Sequence, residues 1–360
     1  MNHTARIQAL KQKLQSNNLE AFVLASQESS DGPNMRYLTG FKGSFGIAII
    51  TADKSLFFTN GIYMEAAKSQ LPHMEVHTIK NMESLPETII DLGLKQVGLN
   101  APNVSLAYYN HLKSAAPDVD FVACDDLVAE LRQTKDAEEI ENIRKAQKLT
   151  DKTFAHILNF MKPGMTEKEI AWEMEMFMRK NGSDGLAFTS IVASGPNSSL
   201  PHHETGDRTI QANEFVLFDF GAKWDGYCSD MSRTVCIGTP SDKQVEVYNL
   251  VLQAQEASLD AIRAQTEGEL ADQAGRTIIE HGGFGENFGH GTGHGVGLEI
   301  HEAPSLSNVR KSTLPEGAVV TVEPGIYLEG WGGVRIEDLA VVTSNGIENL
   351  TKTPKALLTL

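Results

Sequence analysis

The chain has 360 residues, 41% hydrophobic and 22% charged, enough apolar side chains for a sizeable core and too many for a disordered chain. Lys and Arg number 31 against 47 Asp and Glu, a formal net charge of −16. A chain this acidic repels phosphate backbones and anionic lipid, so nucleic acid and membrane surfaces are excluded as expected partners, while carboxylates remain available to hard cations. The three cysteines, Cys124, Cys228 and Cys236, form no CxxC pair or disulfide framework, which points to a reducing compartment. The N-terminal stretch is charged and amphipathic, without an apolar signal core, and no window of about 18 apolar residues occurs. The expected setting is the cytoplasm.

The length predicts two domains. Ile7, Leu10 and Leu14 share one helical face, and Ala21 to Ala25 reads as a buried strand. Gly46 to Ile50 and Leu56 to Thr59 read as two further strands joined across Ala52-Asp53-Lys54. Helical and strand-like pieces alternate to about Leu127, which predicts a three-layer α/β domain over residues 1–130. The texture changes in residues 131–360. A long amphipathic helix carrying Ile140, Ile143, Leu149, Phe154, Ile157 and Phe160 stops at Lys162-Pro163-Gly164. Thr166 with Glu169 spells a capping box for a second helix ending at Asn181-Gly182. Strands follow at 215–220 and from Tyr227 to Ile237, then helices at about 241–265 and 267–281. Strands from Ala318 to Glu323 and from Val334 to Thr343 complete the order. Helix–helix–strands repeated twice predicts two similar α+β halves.

Four blocks carry chemistry. Gly289 to Pro304 holds His290, His294 and His301 among five glycines, residue types that let backbone approach a ligand and that ligate metal or shuttle protons. Neither HExxH nor GxGxxG is met there. In the second block Asp219 lies near the end of an apolar strand and Asp230 follows eleven positions later, so a hairpin can bring both carboxylates to one spot. The third, Val319 to Tyr327, embeds Glu323 in a β-forming run before Pro324-Gly325. A buried charge costs several kcal/mol unless it is paired or bound to metal. In the fourth, Val334 to Leu339, strand alternation puts Arg335 and Glu337 on one face. Taken singly, each block also reads as a turn residue, a surface ion pair or an edge strand. Together, four carboxylates and one imidazole balance two divalent ions; oxygen-rich ligation suits Mn²⁺, with Co²⁺, Fe²⁺ or Zn²⁺ as substitutes. Two such ions about 3.5–4 Å apart activate a shared water for hydrolysis.

With these blocks, Tyr37 to Phe41 and Leu131 to Asp136, the chain resembles the proline-specific metallopeptidases of pita-bread fold, the Xaa-Pro aminopeptidases and Xaa-Pro dipeptidases, over nearly its whole length. The eleven residues between the aspartates, twenty-nine from His294 to Glu323 and fourteen from Glu323 to Glu337 match that family's spacing. The resemblance implies Asp219, Asp230, His294, Glu323 and Glu337 as metal ligands, with Asp230 and Glu337 shared between the ions. It implies His202, within Leu200-Pro201-His202-His203, and His301 as residues facing the scissile bond. It also implies Glu323 as the acid/base, and His290, Tyr327 and Arg335 as residues lining or bracing the site. A homodimer is implied as well. The chain departs from the family at Asn60 and Ile62, where an Asp and an Arg are common, and at Ser305, where several dipeptidases carry Arg. A guanidinium clamps a carboxylate bidentately. Its absence at Ser305 therefore predicts an aminopeptidase acting on Xaa-Pro-Yaa peptides, with a dipeptidase as the alternative. A methionine aminopeptidase, a metal-free creatinase-like enzyme and a non-catalytic binding module fit less well, because the first usually lacks the N-terminal domain and the others predict an eroded ligand set.

Overall fold

The computed structural model describes residues 2–125 and 127–360. The chain divides into two compact units, Met1–Arg132 and Gln133–Leu360.

The first unit is built on a six-stranded mixed sheet. Its strands are β1 (Ala21–Gln27), β2 (Phe45–Thr51), β3 (Ser55–Thr59), β4 (Glu75–Thr78), β5 (Gln96–Asn100) and β6 (Asp120–Cys124), in the order β4-β3-β2-β1-β5-β6. β1 to β3 pair antiparallel, whereas β5, β6 and β4 join parallel. Both faces are covered. Val23, Ile47, Ile49 and Val97 pack against Leu85 and Ile89 of one helix and Leu112 of another, while Phe22, Leu24, Ala48 and Ile50 on the opposite face are fully buried too. A sheet covered on both faces reads in sequence as unbroken apolar runs rather than alternation, as Ala21 to Leu24 and Ile47 to Ile50 do.

The second unit has two helix pairs, each laid on strands. Helices Ala137–Phe160 and Glu167–Lys180 start from reciprocal capping boxes, Asp136 with Glu139 and Thr166 with Glu169. Their apolar faces, including Phe154, Ile157, Ile170 and Met174, pack on Val192, Val216, Phe218 and Val235. Those residues belong to a four-stranded sheet ordered Leu358–Thr359, Met231–Cys236, Phe215–Phe220, Ile191–Ser194. Helices Asp242–Ala261 and Gly268–His281 form the second pair. Leu259 and Ala271 pack on Leu306, Val320, Val322 and Ala340 of a five-stranded sheet, and Val251 and Ile279 on Ile326 and Val334 of a two-stranded one.

Two strands that the sequence predicts as continuous are broken. The run from Tyr227 to Ile237 becomes Tyr227–Cys228 and Met231–Cys236, with Asp230 in the gap. The run from Val334 to Thr343 becomes Gly332–Arg335, paired with Gly325–Leu328, and Asp338–Thr343, paired with Val319–Val322, with Glu337 in the gap. Burial continues through both breaks, so neither is marked by an exposed turn. The change of partner sheet that interrupts them is a tertiary event. No helix among the described residues is long and apolar enough to cross a membrane.

Candidate metal centre and active site

The two antiparallel strands Phe215–Phe220 and Met231–Cys236 set Ser232 opposite Asp219, which brings Asp230, just ahead of the second strand, to the same end of the pair. His294 comes from the short strand Gly293–Gly295, bound to Val319–Val322 on one side. Gly293 is required there, since a Cβ would lie 2.0 Å from the Thr321 carbonyl oxygen. Glu323 follows the 319–322 strand and is fixed by its own amide, which donates to the Thr292 carbonyl at 2.7 Å.

These side chains converge. One donor atom each from Asp230, His294 and Glu337 lie within 4.8 Å of one another. His294 Nε2 stands 3.6 Å from Asp230 Oδ2 and 3.5 Å from Glu323 Oε1. The Nδ1 side of the same ring meets the Gly295 carbonyl at 3.1 Å, a bond that places the proton on Nδ1 and turns the Nε2 lone pair toward the carboxylates. Asp219, Asp230, His294, Glu323 and Glu337 all line one cavity of about 530 Å³, together with His202, His290, His301 and Arg335.

Beside the carboxylates runs a hydrogen-bond chain. Arg335 donates from Nη2 to Asp219 Oδ2 at 2.7 Å, from Nη1 to Tyr327 Oη at 2.9 Å and from Nε to Ser232 Oγ at 2.7 Å. Ser232 in turn donates to Glu337 Oε2 at 2.7 Å. Tyr327 Oη meets His290 Nε2 at 2.9 Å, and His290 Nδ1 donates to the Gly291 carbonyl at 2.8 Å. His290, Tyr327 and Arg335 thus brace the carboxylate cluster from one side.

The electrostatics are those of a charge cluster awaiting a counter-ion. Burial, then the charges of Glu337, Asp219 and Glu323, pushes the Asp230 carboxyl well above its ordinary range. Burial with Glu323 and Asp219 does the same to Glu337, and burial raises Glu323 to about 8. Burial and then the charge of His301 lower His294 to about 4, keeping its imidazole neutral. Asp219 Oδ1 and Asp230 Oδ1 are buried without a hydrogen-bond partner. Buried carboxylate oxygens left bare carry a heavy desolvation cost; four carboxylates and one neutral imidazole are the oxygen-rich, mixed donor set that two divalent cations neutralise. The residues fit the group.

Three supporting contacts are not legible in the motifs. Ser232 ties Arg335 to Glu337 from inside an apolar strand. Lys135 forms a 2.6 Å ion pair with Glu302, the neighbour of His301, with only 1% and 9% of the two side chains exposed. Its signal was the Leu131 to Asp136 stretch, whose role a linear sequence does not disclose. Of the adjacent histidines, His202 lines the cavity and His203 turns away to Glu167. Asn60 and Ile62 lie in the first unit.

A family model described as "Metallopeptidase family M24" matches residues 141–344, and one described as "Creatinase/Prolidase N-terminal domain" matches residues 6–134. The chain belongs to metallopeptidase family M24. Among solved structures it resembles an Xaa-Pro dipeptidase from Bacillus anthracis (40% identity, TM-score 0.94, 100% of each chain covered). It also resembles an X-Pro aminopeptidase from Thermotoga maritima, at 40% identity and TM-score 0.89 over 95% of this chain and 98% of that one. A curated Xaa-Pro dipeptidase from Pyrococcus horikoshii is 33% identical over 98% of both chains. The fold is therefore the pita-bread fold of M24 behind a creatinase-type N-terminal domain. M24 metallopeptidases use a dinuclear divalent-metal site, and Asp230, His294 and Glu337 form a candidate metal-ligand group in this chain.

Proposed function

We propose that this M24 peptidase is an Xaa-Pro dipeptidase, hydrolysing the bond between an N-terminal residue and a C-terminal proline. The observation that carries the reading is Arg310, which lines the same cavity as the carboxylate cluster. Without Arg at 305, the sequence predicts an aminopeptidase, an argument that fails if another guanidinium in the cavity can meet a C-terminal carboxylate. Arg335 is committed to Asp219, Tyr327 and Ser232. Arg310 is exposed, and none of the described ion pairs engages it, so its guanidinium is available to a proline carboxylate. The names of the B. anthracis and P. horikoshii relatives support the same reading. That of the T. maritima relative supports the second reading, an Xaa-Pro aminopeptidase.

In this proposal Asp219, Asp230, His294, Glu323 and Glu337 would hold two divalent cations, Mn²⁺ by preference for an oxygen-rich set. Bound there, the cations supply Lewis-acid polarisation of the scissile carbonyl and lower the pKa of the attacking water. Glu323 holds and returns the proton of that water. His301 and His202, on the cavity wall, donate hydrogen bonds to the substrate as charge develops on its carbonyl oxygen. Tyr327, Arg335 and His290 keep the carboxylates in register. A homodimer in the cytoplasm completes the proposal.

Kinetics on Ala-Pro and Ala-Pro-Ala with Mn²⁺ test it. The expected outcome is a higher kcat/KM for the dipeptide, and a loss of that preference in Arg310→Ala through KM. A tripeptide preference in the wild type would establish the aminopeptidase instead.

A further inference from the structure

Glu167 opens helix Glu167–Lys180, whose N-terminus is already capped by Thr166 with Glu169. An exposed acid would serve the helix dipole equally well, yet the Glu167 side chain is 0% exposed. Its Oε1 accepts from the Ser194 amide at 2.7 Å, the Ser194 hydroxyl at 2.7 Å and Asn197 Nδ2 at 3.0 Å. Its Oε2 accepts from His203 Nε2 at 2.8 Å and from the Gly206 amide at 3.2 Å. All five donors belong to the segment 194–206, which therefore folds around a single carboxylate. His202 projects from that segment into the catalytic cavity. The segment is also tied to the braced side of the site, since Arg335 Nη1 donates to the Pro201 carbonyl at 3.4 Å and the Gly333 amide to Ser198 Oγ at 2.8 Å.

We infer that Glu167 is a positioning residue for hydrolysis: through His203 and the backbone of residues 194–206 it holds His202 at the cavity wall. The inference rests on the reading above that His202 contacts the substrate. Only a carboxylate satisfies this arrangement, because an amide in either orientation points an NH₂ group at donors. The adjacent histidines then divide the work. His203 faces inward as a tether, and His202 faces the substrate.

A double-mutant cycle tests it, with Glu167→Gln and His203→Ala each made alone and with His202→Ala, assayed on Ala-Pro and Ala-Pro-Ala with metal content measured in parallel. Glu167→Gln is expected to lower kcat/KM at least tenfold, mainly through KM, with metal content unchanged. His203→Ala, which removes one of the five bonds, should lose less. Both losses should vanish in the His202→Ala background, because residues that act through one another are not additive. Losses that persist undiminished there, losses explained by missing metal, or two variants with wild-type kinetics overturn the inference. Should Glu167→Gln fail to fold, His203→Ala carries the cycle alone. A wild type inert toward both peptides would refute the proposed function instead. Amide exchange then decides the tether: faster exchange at residues 194–206 in His203→Ala upholds it, and unchanged exchange overturns it.

Discussion

Asp230 lies buried among the charges of Glu337, Asp219 and Glu323. It is 4% exposed, faces His294 at 3.6 Å and has an oxygen without a hydrogen-bond partner. Asp230→Asn keeps the shape but removes a charge that the proposed cations share. The expected result is loss of bound metal and a fall in kcat/KM of more than about 100-fold, read by elemental analysis beside kinetics; near-normal turnover with full metal content would sink the ligand assignment. Lys135 makes a different kind of prediction. Its ammonium pairs with Glu302 in a nearly dry setting, and removing one partner of a buried pair costs about 3–5 kcal/mol because the other is left uncompensated. Lys135→Met should therefore shift the urea midpoint by about that free energy, and Lys135→Met with Glu302→Gln should recover most of it. A single-variant loss below about 1 kcal/mol would mean that the pair is screened by water.

At the scale of elements, the start of helix Glu167–Lys180 was legible because its signal is local. Thr166 with Glu169 meets the capping-box pattern, and the structure forms both of its reciprocal bonds. The long helix uses Asp136 in the same way: its carboxylate accepts from the amides of Glu138 and Glu139. Asp136→Ala should cost about 1 kcal/mol, within the 0.5–2 kcal/mol range of cap deletions, measured by chemical denaturation; no loss would show that packing of Ile143 and Phe154 holds the helix start without the cap. The strands around Asp230 and Glu337 were legible only as single continuous strands. Their breaks depend on which sheet each half joins, a choice made by partners about 100 residues away, such as Ser232 accepting from the Glu337 amide at 3.1 Å.

At the scale of the whole molecule, acid acts on more than the catalytic cluster. His3 in the first unit donates from Nδ1 to the Tyr37 carbonyl at 3.0 Å, and burial lowers its pKa from 6.5 to about 4. Between those values the unfolded chain binds the proton and the folded unit does not. Stability is therefore full above pH 6.5 and declines as pH falls toward 4. Backbone exchange in β1 and β2 should accelerate across that window, and His3→Gln should flatten the dependence. An identical pH profile in the variant would assign the acid sensitivity to other groups.

What the sequence determined by itself was everything that depends on short-range pattern or on residue type. Unbroken apolar runs identified β1, β2 and β3, a capping box located the start of helix Glu167–Lys180, and donor chemistry together with a family resemblance proposed Asp219, Asp230, His294, Glu323 and Glu337 as ligands. Tertiary structure decided what depends on contacts between distant segments. It turned His202 to the cavity and His203 to Glu167, paired Lys135 with Glu302, committed Arg335 to Asp219 and left Arg310 facing the site. Neighbouring residues of one type, such as two adjacent histidines or several arginines, carry the same chemistry in a linear chain. Only the packed partners around each one, by burying or satisfying its polar atoms, give it a separate role.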